Sequence, residues 1–174
     1  MKKLIVMAAA LLAALFIVGC ASTGGPVASD LMSNAKGDAP DGTLVGQATA
    51  GSVQQAEQRA KLQLVKGLAY IAKELIDEQV ASGRLSNSVS SDFQTYVNTA
   101  LTNSSLSSAV KVGSGTDTTK EKKAWAVYYL ERGDALKEVN AAVTAAKKEV
   151  AAGNFNTDNF NAKFAAAISR EWKN

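Results

Sequence analysis

The chain has 174 residues, 47% of them hydrophobic and 20% charged, with two Pro, a single Cys and no His. The absent imidazole removes the commonest general base, and with only one thiol it also excludes zinc sites built from His or Cys and any Cys/His dyad. Lys and Arg number 19 against 16 Asp and Glu, a formal charge of +3, and the length suits one modest domain rather than two.

Residues 4–18 are apolar without exception, Lys2 and Lys3 precede them, and Gly19 follows. This is the pattern of a secretory signal peptide over residues 1–19. A membrane span wants about twenty apolar residues, so a short signal anchor is the competing reading. The run Ile17-Val18-Gly19-Cys20 resembles a bacterial lipobox. The resemblance implies that the Cys20 thiol receives a diacylglyceryl group, that the leader is cut before it, and that the new amine is acylated. One fatty chain, at about 0.8 kcal/mol per buried CH₂, holds a protein reversibly, whereas two or three hold it stably. Membrane lipid is therefore the first expected partner. Residue 21 is Ala, and in the Gram-negative lipoproteins that this leader resembles an Asp there favours inner-membrane retention, so the outer membrane is the expected address. Losing Lys2 and Lys3 with the leader takes the formal charge to about +1. The small clusters Lys147-Lys148 and Lys120 to Lys123 are too slight for a phosphate-neutralising face, and no nucleic-acid partner is expected.

From Cys20 to Asp41 the chain is rich in Gly, Ser, Ala, Asp and Pro, which reads as the acylated Cys followed by a flexible tether. A short strand is expected over Thr43 to Thr49. Ser52 to Gln55 then reads as a capping box. The long helix after it has Val53, Ala56, Ala60, Leu64, Leu68, Ile71 and Leu75 at the 3.6-residue period, with Val65, Ala72 and Ile76 widening the stripe. Ala56 and Ala60 are small enough for close approach to a sheet, Glu57 and Lys61 pair at i and i+4, and Ser82-Gly83 ends the helix. A second helix is expected over Val89 to Leu101, with Val89, Phe93, Tyr96, Val97, Ala100 and Leu101 on one face, broken by the polar run Thr102 to Ser108.

Ala109 to Gly113 and Ala124 to Leu130 read as strands of a hairpin turning at Ser114-Gly115-Thr116-Asp117. In the second of these, Trp125, Val127 and Tyr129 face one way and Ala126, Tyr128 and Leu130 the other. Apolar bulk on both faces marks a central strand. Asp134 is the expected N-cap of a helix burying Leu136, Val139, Val143, Ala146 and Val150. Gly153 stops it, and Thr157 caps a last helix striped by Phe160, Phe164, Ile168 and Trp172.

This order predicts an α+β fold: a small, mainly antiparallel sheet of about three strands packed against two or more long helices, following the signal peptide and tether. Gly46, the Ala56/Ala60 pair with Leu64 and Ile71 after it, and the Val127-Tyr128 strand centre make residues 42–152 resemble the LPP-twenty family of small bacterial surface lipoproteins. The resemblance implies a compact α+β domain without established enzymatic chemistry. Residues 153–174 are expected to add an amphipathic helix packed on that domain.

Other motifs have plainer readings. Gly113-Ser114-Gly115 to Lys120 lacks the Gly-Lys-Ser/Thr ending of a phosphate loop, and Arg132-Gly133-Asp134 marks the turn and cap before a helix. Glu74, Asp77 and Glu78 could form a carboxylate pair for acid/base work or a divalent ion, but Lys73 beside them favours a polar helix face. The Ser-rich segments offer hydroxyls without a base. The expected function is a lipid-anchored envelope protein that binds a protein or polymer partner, with no catalytic residues, metal or cofactor. The alternatives are an accessory factor for peptidoglycan synthesis or flagellar machinery, or a small hydrolase using Ser or paired carboxylates.

Overall fold

The computed structural model describes residues 26–171. Over these the chain forms α1 (Ala28–Gly37), β1 (Leu44–Ala50), α2 (Val53–Ala81), α3 (Asn87–Asn103), β2 (Val110–Thr116), β3 (Ala124–Leu130), α4 (Arg132–Glu149) and α5 (Thr157–Glu171). The strands make one antiparallel sheet in the order β1-β3-β2, so the fold is α+β with β3 at its centre. The expected leader, the lipobox with Cys20, and Trp172 lie outside the described residues.

Alternation along β3 sets the layers. Ala124, Ala126, Tyr128 and Leu130 join the main core with α2, while Val127 is fully buried outside that cluster, on the face it shares with Trp125 and Tyr129. Helix α1 covers this second face, with Ala28 and Ala35 buried. Beyond the sheet, α2, α3, α4 and α5 enclose an aromatic ladder in which Phe155 lies 4.8 Å from Phe93 and 5.6 Å from Phe160, and Phe160 stacks on Phe164 at 6.1 Å, centroid to centroid.

The long helix begins and ends as its sequence requires. The Ser52 hydroxyl accepts the Gln55 N–H at 3.3 Å, and at the far end Gly83 takes φ +70. There the Gly83 N–H bonds to the Val80 carbonyl and the Arg84 N–H to the Gln79 carbonyl, each at 2.9 Å. Close approach to the sheet is the role of Gly46: a Cβ at that position would lie 2.2 Å from the Ala60 carbonyl oxygen. Ala56 and Ala60 are both fully buried at this contact.

Several expectations need correction. Residues 28–37, read as tether, are helical because partners distant in sequence hold them, chiefly the Asp117 carboxylate on the Ala28 N–H at 3.3 Å. Strand β2 runs on through Ser114-Gly115-Thr116 instead of turning there. Its glycines make room for the Trp125 indole, which a Cβ at Gly113 would meet at 3.1 Å and one at Gly115 at 3.4 Å. Asp134 is in the first turn of α4 instead of capping it; that helix starts at Arg132, and Asp134 pairs with Lys137 at 2.9 Å. Asn156, not Thr157, caps α5, its side chain accepting the Asn159 N–H at 2.8 Å. Tyr96 is exposed, whereas Leu106, inside the run read as a polar breaker, is fully buried. Glu57 reaches across to Lys111 (3.2 Å) rather than to Lys61, whose ammonium lies 5.2 Å from the centre of the Tyr128 ring.

Candidate functional site

The acidic cluster on α2 is dispersed into ordinary surface pairs. Asp77 accepts from Lys73 and from the Gln94 amide, each at 2.7 Å, and Glu78 is paired with Lys163 of α5. Pinned this way, the carboxylates tie α2 to α3 and α5. Among the described residues no group of three or more His, Cys, Asp and Glu could hold a metal ion. Arg132-Gly133-Asp134 forms the first turn of α4, with the Arg132 guanidinium fastened to the Gly42 carbonyl at 2.9 Å.

A cavity of about 640 Å³ lies between the start of α1 and the β2–β3 loop and includes Val27, Met32, Thr49, Lys120 and Lys123 in its walls. Asp117 builds that loop. One carboxylate oxygen accepts from the Thr119 hydroxyl (2.8 Å), the Thr119 N–H (3.2 Å) and the Lys123 N–H (3.0 Å), and the other from the Ala28 N–H. Burial works to raise the Asp117 pKa, but these bonds together hold it below the ordinary carboxylate value. Asp117 is thus a committed anchor and the cap of α1, standing in for Val27, which offers no side-chain oxygen.

Two smaller grooves, of about 390 and 340 Å³, continue from Thr49 along β1. The first is bounded by Gln47, Ala48, Thr49, Arg59, Leu62 and Lys66, and Lys122 and Lys123 stand on the second. Pairing decides which backbone groups look into them. The Asp117 N–H bonds to the Lys123 carbonyl, so by antiparallel alternation Trp125 and Val127 direct their groups to β2, and Ala124, Ala126, Tyr128 and Leu130 direct theirs to β1. Their β1 partners are Ala50, Ala48, Gly46 and Leu44. Val45, Gln47 and Thr49 therefore turn their N–H and C=O groups outward, and Arg59 donates to the Thr49 carbonyl at 3.2 Å. The sequence reading missed this edge and Asp117. The 59, 62, 66 spacing on the long helix and the Asp-x-Thr turn are the signals that could have shown them.

With this geometry in view, no protein-family model, no curated protein and no solved structure matches the chain.

Proposed function

We propose that this chain is a lipid-anchored protein of the bacterial cell envelope, acylated at Cys20 and held at the outer membrane, whose α+β domain is a non-enzymatic binding module. The observation that carries the reading is Cys20 standing directly after Ile17-Val18-Gly19 at the end of the apolar run. The thiol supplies the nucleophile for a diacylglyceryl group, and the acyl chains supply the membrane affinity; no helix of the described residues is long and apolar enough to cross a membrane. The likeness to the LPP-twenty lipoproteins rests on the sequence alone, on Gly46, Ala56, Ala60, Leu64, Ile71, Val127 and Tyr128.

The order in α1 changes the geometry of the proposed anchor. Seven residues lie between Cys20 and Ala28, and the eight Cα steps span at most about 29 Å at full extension. The domain therefore stays close to the bilayer instead of reaching across a periplasmic gap. The test is Cys20→Ala expressed in a Gram-negative cell: the variant accumulates with its leader attached and without acyl chains, and normal processing with normal membrane recovery contradicts the reading.

A further inference from the structure

We infer that the outer edge of β1 is a docking strand for an extended acidic segment of a partner protein, added as a fourth strand to the sheet. The inference supplies the partner for the binding module proposed above, and it rests on the module reading rather than on acylation of Cys20.

An open edge presents a row of backbone donors and acceptors, and natural sheets defend such edges with charge, Pro, a bulge or a covering element. The two edges of this sheet differ. On β2 the register shifts between Lys111 and Gly113, and Lys111 carries an ion pair to Glu57. On β1 the sequence Leu44–Ala50 has no charge and no Pro, pairs with β3 without a break, and leaves Gln47 and Thr49 exposed. Strand addition there would use the Val45 and Gln47 groups and the Thr49 N–H.

The rim states the chemistry of the occupant. Helix α2 runs antiparallel to β1, since Gly46 meets Ala60 and Leu44 meets Gly67. It sets Arg59, Leu62 and Lys66 along the groove, with Leu62 42% exposed, and no carboxylate lines it. Arg59 to Lys66 spans about 10 Å of helix, and alternate residues of a strand are about 7 Å apart. An added strand with the pattern acid-x-apolar-x-acid would place its apolar side chain over Leu62 and its carboxylates at Arg59 and Lys66. At the other end Lys122 extends the positive rim, while Lys123 is paired to Glu121 at 2.8 Å. A second copy of this chain fits poorly, because joining two β1 edges would bring two cationic rows along one seam. Residues 1–25 and 172–174 contain no Asp or Glu, so neither of these stretches supplies the acidic segment.

The test uses the purified full-length chain in detergent and a nonapeptide centred on Glu-Thr-Val-Thr-Glu. Binding is read by titration, and its place by hydrogen exchange at the Val45, Gln47 and Thr49 amides. The expected result is saturable binding that slows exchange at those amides. Replacing both peptide Glu by Lys, or the protein double substitution Arg59→Glu/Lys66→Glu, weakens it about tenfold or more. N-methylation of the alternate peptide amides that would pair with β1 abolishes it, which simple charge attraction would not produce. The double variant alters only exposed side chains, and unchanged circular dichroism shows that it folds. Unaltered exchange at the three amides with saturating peptide overturns the proposal. So does equal affinity for the N-methylated peptide, protection of β1 by self-association without peptide, or the same protection by anionic vesicles alone. Peptide binding by a chain found unacylated would sink the lipoprotein reading and leave this one standing, and the converse result would do the reverse.

Discussion

Substituting Gly46 by Ala tests how tightly the sheet sits on the long helix. The added methyl would lie 2.2 Å from the Ala60 carbonyl oxygen and 2.9 Å from Leu64 Cγ, where carbon–oxygen contacts are normally near 3.3 Å or more. Leu64 can rotate, but the carbonyl belongs to a helix turn and cannot. The strand and helix must therefore separate by about 1 Å, and a gap of that size forfeits a quarter to a half of each dispersion contact it opens. Overpacking of this kind costs about 1 to 3 kcal/mol, and a backbone obstruction places it at the upper end. The reduced entropy of the unfolded chain returns about 0.4 to 1 kcal/mol, leaving a net loss of about 2 to 2.6 kcal/mol. Urea denaturation followed by circular dichroism would show it as a lower midpoint, and thermal unfolding as a drop of roughly 4 to 10 °C. Gly133→Ala is the control: it lies within α4 with nothing within 4 Å of the new Cβ, and it should stabilise by about 0.5 to 1 kcal/mol. A Gly46→Ala protein within about 0.5 kcal/mol of the parent would refute the argument from close approach.

Other consequences follow from single contacts. Asp117→Asn removes the charge that holds Ala28 and the hairpin loop, so amide exchange over residues 28–37 should accelerate at pH 7; unchanged exchange would remove Asp117 as the cap. Because the folded Asp117 pKa is lowered from 3.8, its contribution is complete above that value and fades as pH falls through the lower folded pKa; the parent protein at acid pH should then approach the variant's exchange rates. Gln79 is 3% exposed, and its amide both accepts the Asn156 N–H at 3.3 Å and donates to the Asn159 side chain at 3.2 Å. Gln79→Leu should therefore cost about 1 to 3 kcal/mol in denaturant titration and loosen α5 first, and an effect below about 0.5 kcal/mol would contradict that role. Glu57, held below the usual carboxylate pKa by the Ser114 hydroxyl and then by Lys111, should lose only about 0.2 to 1 kcal/mol on Glu57→Gln, less at high salt; a cost above 2 kcal/mol would mean that the pair is more than a surface tie.

What could be read from the sequence was local. The Ser52 cap, the Gly83 stop and the two-sided bulk of β3 each announce themselves within a few residues, because hydroxyl capping, positive φ and strand alternation are short-range effects. What escaped was non-local. The ten residues of α1 bury only Ala28 and Ala35, too few for a visible stripe, and their order depends on Asp117, 89 positions from Ala28. Gly113 and Gly115 look like turn residues until the Trp125 ring is seen lying over them. The β1 edge could not be recognised before the strand order was known, since Leu44–Ala50 has the same composition whether it is central or peripheral. Asn156 and Thr157 are adjacent residues of cap-forming type, and only the bond from the Asn159 N–H to the Asn156 side chain separates them.

The claim on which the functional reading turns is chemical modification of one sulfur. Intact-mass and peptide-fragment mass spectrometry of the chain isolated from cell envelopes should find Cys20 at the amino terminus, carrying a diacylglyceryl group on sulfur and an acyl chain on nitrogen. A chain that retains residues 1–19, or that starts elsewhere and has an unmodified thiol, would contradict it.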